Sequence, residues 1–294
     1  MTNNKYHVVA DGFSSIRVNA YNPEQFKTSE GENERLDDFV KKQTERARRN
    51  GGSFYDGEMI GTLVDSIKTN KRELSFNAQN MRYSQHAGLF RINPFAPIQA
   101  TYVNAVTLTL DDRIVLGTTQ ATEANWMGKL SIPAGGLTLG PDGFPSLGHQ
   151  LYAELSEEVG ISPEYHLIGK IIPGWIAGAS AREGNYHLTT SFVVPLQMTE
   201  NDLKEWFNDW KFAQQKWLVK SGRKIELKDL RFLPNDPTKL NVFLSEQDSR
   251  GENANILGKT ADVIDIWANR YNCDPHKLQN LKEARVYLPQ PKIF

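Results

Sequence analysis

The 294-residue sequence has a single cysteine, Cys273, so it can build neither an intramolecular disulfide nor a cysteine cage for zinc. It also lacks long apolar runs: SFVVPL and KIIPGWIAGA fall well short of the ~20 residues a membrane-spanning helix requires. Its start, MTNNKYHVVADGF, has no charged segment followed by a long apolar stretch, the pattern of a secretory signal. These absences predict a cytoplasmic protein with no membrane partner. Neither charge is in excess, since 34 Lys+Arg stand against 35 Asp+Glu, and no global basic field exists to draw in nucleic acid. The histidines (His7, His86, His149, His166, His187, His276) show no metal-ligand spacing. No G-x-G-x-x-G, H-E-x-x-H or G-x-S-x-G is found, and LGKT at 257–260 fails as a P-loop because Asn253 stands where a glycine is needed.

Hydrophobic residues at 39% and charged residues at 23% are the balance of a folded globular chain and not of a disordered one. The length allows one large domain or a core domain with an extension. Residues 1 to about 28 alternate apolar and polar positions and are broken by Gly12 and Pro23, which reads as short strands and turns. From Glu32 to Arg49 acidic groups come first and basic groups last, before Asn50-Gly51-Gly52, an order that suits a helix dipole and a glycine stop. Its basic end (Lys41, Lys42, Arg46, Arg48, Arg49) reads as a solvated face. Pro94 and Pro97 mark a connection, dividing the chain into an N-terminal α+β extension (1–98) and a second domain (99–294).

The second part has α/β character. YVNAVTLTL and RIVLGTT form a hairpin about Asp111-Asp112, and LSIPAGG is expected as a strand ending in a glycine turn. A helix is predicted at about 146–159, with Ser146 as N-cap and Gly160 as stop. HLIGKIIPGWI, HLTTSFVVPL and IELKDLRFL read as strands. An inserted helix from Glu200 to about Lys220 carries Trp206, Trp210 and Trp217 near one face, which predicts core packing, and ADVIDIWANRY reads as a C-terminal helix.

The 146–159 helix is the informative one. On a helical wheel Leu147, Leu151, Leu155 and Val159 span about 0° to 120°, a buried stripe, while Glu154, Glu157 and Glu158 fall between about 280° and 20° along its edge. Like charges at these spacings, in a last turn that disfavours anions, cost about 1–2 kcal/mol in sum. A hard divalent cation reverses that sign, because carboxylate oxygens are the ligands Mg²⁺ prefers.

The string A-E-L-S-E-E-V-G-I resembles the second half of the Nudix box, G-x5-E-x7-R-E-U-x-E-E-x-G-U, with Glu154, Leu155, Glu157, Glu158, Gly160 and Ile161 at its defined positions. Gly136 stands where the box begins and Asp142 where its first Glu falls. The sequence departs from the pattern in two ways: ten residues separate Asp142 from the next defined position, and Ala153 replaces the box arginine. The likeness extends over roughly residues 100–245, and the long N-terminal extension is similar to that of larger Nudix proteins that include a UDP-sugar diphosphatase.

The resemblance implies an α/β/α sandwich with a mixed sheet. It also implies hydrolysis of a nucleoside diphosphate linked to another moiety, such as a nucleotide-sugar, by water attack on phosphorus. Glu157 and Glu158 would bind Mg²⁺ or Mn²⁺, with Glu154 a further ligand or the general base. Lys129 and Arg182 are candidate cations for the bridge; Trp126, Trp175 and Tyr186 could stack a base, and Glu226 could add a carboxylate. Ala153 and the longer loop raise a second reading, a nucleotide-binding or regulatory protein without hydrolysis. A third is non-hydrolytic chemistry such as isomerisation of an allylic diphosphate. The extension has no catalytic signature, and the resemblance implies that it pairs subunits into a homodimer or shapes the substrate pocket.

Overall fold

A computed structural model describes residues 8–11, 15–49, 54, 56–70, 73–90, 93, 96–120, 128–162, 166, 172–177, 188–221, 227–247 and 255–271. The N-terminal part supplies β1 (Val8–Asp11), β2 (Ser15–Gln25), α1 (Glu30–Arg49), β3 (Glu58–Leu63), β4 (Lys68–Asn70) and β5 (Glu73–Arg82). After a helical passage at Tyr83–Phe90 come β6 (Ile98–Leu108), β7 (Arg113–Thr119), β8 (Leu130–Ser131), β9 (Ala134–Gly136) and α2 (Leu147–Val159). The rest is β10 (Ile172–Ala177), β11 (Leu188–Pro195), α3 (Glu200–Ser221), β12 (Leu227–Pro234), α4 (Pro237–Glu246) and α5 (Gly258–Ile266).

The long strand β6 is the spine. Its residues Thr101–Leu108 pair in parallel with Leu188–Pro195 of β11, while Ile98–Ala100 pair antiparallel with Leu63–Gly61 of β3. The main order is β1-β10-β11-β6-β3-β5-β2, with β7 and β9 also on β6, and β8 and β12 on β7. The N-terminal strands are thus hydrogen-bonded into the same mixed sheet.

Successive side chains on a strand point to opposite faces, and both faces of the central strands are buried. Val103 and Ala105 of β6, Val115 of β7, and Phe192 and Val194 of β11 pack with Leu147, Leu151, Leu155 and Val159 of α2 and Leu203 and Phe207 of α3. Their neighbours Val106, Ile114, Leu116 and Val193 pack on the other side with Leu240 and Leu244 of α4, Ala261 and Ile264 of α5, and Trp267. The result is the expected α/β/α sandwich. A buried large aliphatic side chain contributes about 1.5–3 kcal/mol, so the four-residue stripe of α2 outweighs the cost of its crowded carboxylates.

Ile60, Leu74, Phe76 and Ala78 of the N-terminal strands belong to the same cluster as the α2 stripe. Helix α1 docks through Leu36, which joins Met81, Leu89, Phe90 and Ile98 in a third cluster. Its basic end is solvated, with Lys42–Asp38 (2.6 Å) and Arg49–Glu45 (3.9 Å) pairs one turn apart.

Several expectations are corrected. LSIPAGG forms two short strands, because β8 pairs with β7 and β9 with β6. Trp206 is 39% exposed and does not line the core; its indole N–H donates to the Gly160 carbonyl at 2.8 Å, and Leu203 and Phe207 form the buried face. The side chain of Trp217 lies outside the described residues. Helix α4 was not expected, although Asp236 caps it by accepting the Lys239 N–H at 2.8 Å and Pro237 opens it. The LGKT segment starts α5, with buried Thr260 accepting the Ile132 N–H at 3.3 Å, a structural use that needs no phosphate. No helix among the described residues is long and apolar enough to cross a membrane.

Candidate functional site

Both ends of α2 are fixed locally. Ser146 Oγ accepts the His149 N–H at 3.2 Å, and Gly160 ends the helix in the left-handed region at φ 72°. With the leucine stripe turned to the sheet, Glu154 and Glu157 emerge along its flank. Gly135 of β9 lies beneath Glu154, where an added Cβ would collide with Oε1. The buried Gln150 donates through Nε2 to Glu154 Oε1 and accepts at Oε1 from Thr138 Oγ1. This relay, anchored after β9, sets the plane of the Glu154 carboxylate.

Glu154 and Glu157 open into a cavity of about 470 Å³. From α2 it is also lined by His149, Gln150 and Ala153, from the β9 region by Gly136, Leu137 and Thr138, and from β3 by Glu58, Met59 and Ile60. Three carboxylates face this space, and no Lys or Arg does among the described residues. A larger cleft of about 850 Å³ lies between the end of β2, α1 and Ser84-Gln85, and several of its polar groups are engaged with one another. There Asp56 accepts from Ser84 N (2.7 Å) and Oγ (2.9 Å), and Gln85 bonds Gln25 (2.6 Å) and the Phe26 carbonyl (2.7 Å).

The candidate residues separate into groups. Glu154, Glu157 and Gly136 come together at the cavity. Glu158 is buried, at 5% exposure, and is not among the cavity's lining residues. Ala153, at the position of the box arginine, lines the cavity and brings no charge. Asp142 sits in an exposed turn, where Oδ1 accepts the Phe144 N–H at 3.1 Å. Lys129 lies between β7 and β8, its N–H on Thr119 Oγ1 at 3.2 Å, and away from the cavity lining. Arg182, Tyr186, Glu226 and Trp126 lie outside the described residues, and of Trp175 only the backbone, in β10, is described.

Sequence reasoning missed Glu58. It carries no motif, and only the pairing of β3 with β5 and β6 brings it to the cavity. Its side chain is exposed and makes no ion pair among the described residues; its cross-strand neighbour Arg82 reaches toward Asp56 at 3.9 Å. Glu58 also acts on the Tyr21 hydroxyl, whose pKa is raised by burial and further by this carboxylate, against the hydrogen bond to Asn80 at 2.6 Å.

Among the described residues no three carboxylate, histidine or cysteine side chains are arranged as a ready cage for a metal ion. Two carboxylates on one cavity wall still fit Mg²⁺, which is commonly held by one or two carboxylates with substrate phosphates and water completing the octahedron. Just beyond α2, His166 Nδ1 accepts the Ser162 N–H at 2.8 Å, and its ring lies 4.6 Å from that of Trp206. Burial holds the His166 pKa below its ordinary value.

No family model matches the chain, and no curated protein matches it. Among solved structures it is similar to the NUDIX domain of Shewanella oneidensis NrtR complexed with ADP ribose, at 14% identity over 62% of this chain and 94% of that one, with a TM-score of 0.34. A mutT/nudix family protein from Listeria innocua aligns at 13% identity over 56% of this chain and 88% of that one, TM-score 0.35. A bifunctional NMN adenylyltransferase/ADP ribose pyrophosphatase from Francisella tularensis aligns at 11% identity over 58% of this chain, TM-score 0.34. The match spans 41% of that bifunctional chain, well under half its length.

Proposed function

We propose that the chain is a Nudix hydrolase that cleaves the diphosphate bridge of a nucleoside diphosphate derivative with the help of Mg²⁺ or Mn²⁺. The observation that carries this reading is the placement of Glu154 and Glu157, two glutamates in box register, on one wall of a cavity beside Gly136. A bound divalent ion would supply charge neutralisation at the diphosphate and a more acidic attacking water. Glu157, exposed at the cavity, would hold that ion with Glu154.

Glu154 is also placed to take the proton from water, since the Thr138–Gln150 relay fixes its plane and Gly135 leaves it room. As the water oxygen bonds to phosphorus, the bridging P–O bond breaks and its electron pair leaves with the departing phosphate. The proton passes to Glu154 and then to solvent. Residues 1–98 act as an extension that completes the cavity through β3.

A second reading, a nucleotide-binding module without hydrolysis, is favoured by Ala153, which leaves the cavity without the charge of the box arginine. The two separate on one experiment. With Mg²⁺ and a panel of nucleotide-sugars, dinucleotides and nucleoside triphosphates analysed by chromatography, hydrolysis releases a nucleoside monophosphate and Glu157→Gln abolishes the release. Nucleotide binding without product, in wild type and variant alike, supports the module.

A further inference from the structure

We propose that Glu58 of β3 selects the substrate at this site: it favours diphosphates whose far end is a neutral, hydroxyl-bearing group and repels those that end in a further phosphate. The inference rests on the reading of the cavity as a diphosphate site and adds to it the chemistry of the group beyond the bridge.

The cavity has two walls of unlike origin. Glu154 and Glu157 of α2 face it on one side, and Glu58 with Met59 and Ile60 of β3 on the other. One divalent ion beside the α2 carboxylates would offset only part of their charge and that of the bridge, and no Lys or Arg among the described lining residues is set against Glu58. Arg82, the residue opposite Glu58 in the ladder, turns to Asp56 and the larger cleft, and no Lys or Arg among the described residues lines the smaller one.

A terminal phosphate carried toward β3 therefore meets a carboxylate with no Lys or Arg of the described residues between them, in a partly enclosed space where screening is weaker than in bulk water. A sugar or other polyol meets the same carboxylate as a hydrogen-bond acceptor, a favourable, charge-assisted contact. Met59 is half-buried and adds some apolar surface to the lining, in which Ile60 and Leu137 are buried. About 470 Å³ holds a sugar-sized group together with the bridge. Discrimination by one unpaired charge works by repelling the wrong ligand as much as by holding the right one.

The test compares wild type, Glu58→Gln and Glu58→Lys on two matched pairs, UDP-glucose with UTP and ADP-ribose with ATP, in Mg²⁺. Two quantities are read: kcat/KM, and the equilibrium Kd of nonhydrolysable methylene analogues by calorimetry. Wild type is expected to prefer the sugar-capped member of at least one pair by at least about tenfold. In Glu58→Gln that ratio narrows about fivefold, mainly through tighter triphosphate binding, and Glu58→Lys narrows or inverts it further. Raising salt narrows the wild-type ratio and leaves that of Glu58→Gln nearly flat.

Ratios unchanged within twofold in both variants, or a wild type that prefers the triphosphates, overturn the role of Glu58 and leave the hydrolase reading standing. Binding that follows the expected ratios without turnover overturns the hydrolase reading and leaves the selection intact. Absence of binding to all four ligands overturns both. Glu58 is solvent-exposed, so melting temperatures of the three proteins within a few degrees show that the ratios report on the site.

Discussion

Gly135 and Glu154 occupy one another's space: the carboxylate of the helix residue lies where a side chain on the strand residue would have to be. This close approach seats α2 on β9 and aims Glu154 into the cavity. Gly135→Ala must displace the carboxylate or part the helix from the strand. Turnover in Mg²⁺ is expected to fall about 10–100-fold, since displacements of the order of 1 Å suffice for that. The stability loss stays within about 1–3 kcal/mol, the usual cost of overpacking. Steady-state kinetics beside urea unfolding of the same variant separates the two effects.

Glu154→Gln preserves the shape of the side chain and removes its basicity. A general base contributes about 10²–10⁴-fold, so kcat should drop by that factor at saturating Mg²⁺, with less change in the Mg²⁺ midpoint. Glu157→Gln is expected to raise the Mg²⁺ midpoint as well. Metal titrations of the two variants show whether the roles divide this way.

Gly160→Ala tests the end of α2. The left-handed backbone at φ 72° disfavours any side chain, and an added Cβ would approach Trp210 Cδ2 at 2.6 Å and Cδ1 at 2.7 Å. Together these predict a loss of about 2–4 kcal/mol, read as a lower urea midpoint with little change in m-value.

His166 makes stability depend on pH. Its folded pKa lies below the ordinary value of about 6.5, so the unfolded chain binds more protons in the interval between the two. The contribution is present above about pH 6.5 and is lost as pH falls through the folded pKa, because the protonated ring cannot accept the Ser162 N–H. Urea midpoints should fall between pH 7.5 and pH 5 in wild type, and fall less in His166→Asn.

The helices that carry local signals were legible from sequence. Ser146 and Gly160 bound α2 in the structure as their chemistry predicts, and the acid-to-base order of α1 matches its span from Glu30 to Arg49. The flank position of Glu154 and Glu157 also followed from helical spacing. What escaped depends on residues far apart in the chain. Glu58 reaches the cavity only because β3 pairs with β6, and Gly135 has its use only because α2 lies over it. The division of LSIPAGG between two partner strands is likewise a matter of tertiary pairing. Helix α4 is different: Asp236-Pro237 is a local start signal that was there to be read. Trp206 shows that spacing identifies a face but not its depth, since a polar end drawn to the Gly160 carbonyl leaves the ring part-exposed.

The shared strand β6 bears on how the chain survives its own synthesis. Its parallel partner β11 begins 87 residues after Thr101 in the aligned register, which at roughly 5–20 residues per second is about 4–17 s of translation. Throughout that wait β6 presents an apolar, hydrogen-bond-hungry edge of the kind that recruits neighbouring nascent chains. Strand β3 has already emerged and can pair with the start of β6 at once. That pairing leaves the waiting edge open, because β3 lies on the opposite side of β6 and takes only Ile98–Ala100, so the edge closes only when β11 is made.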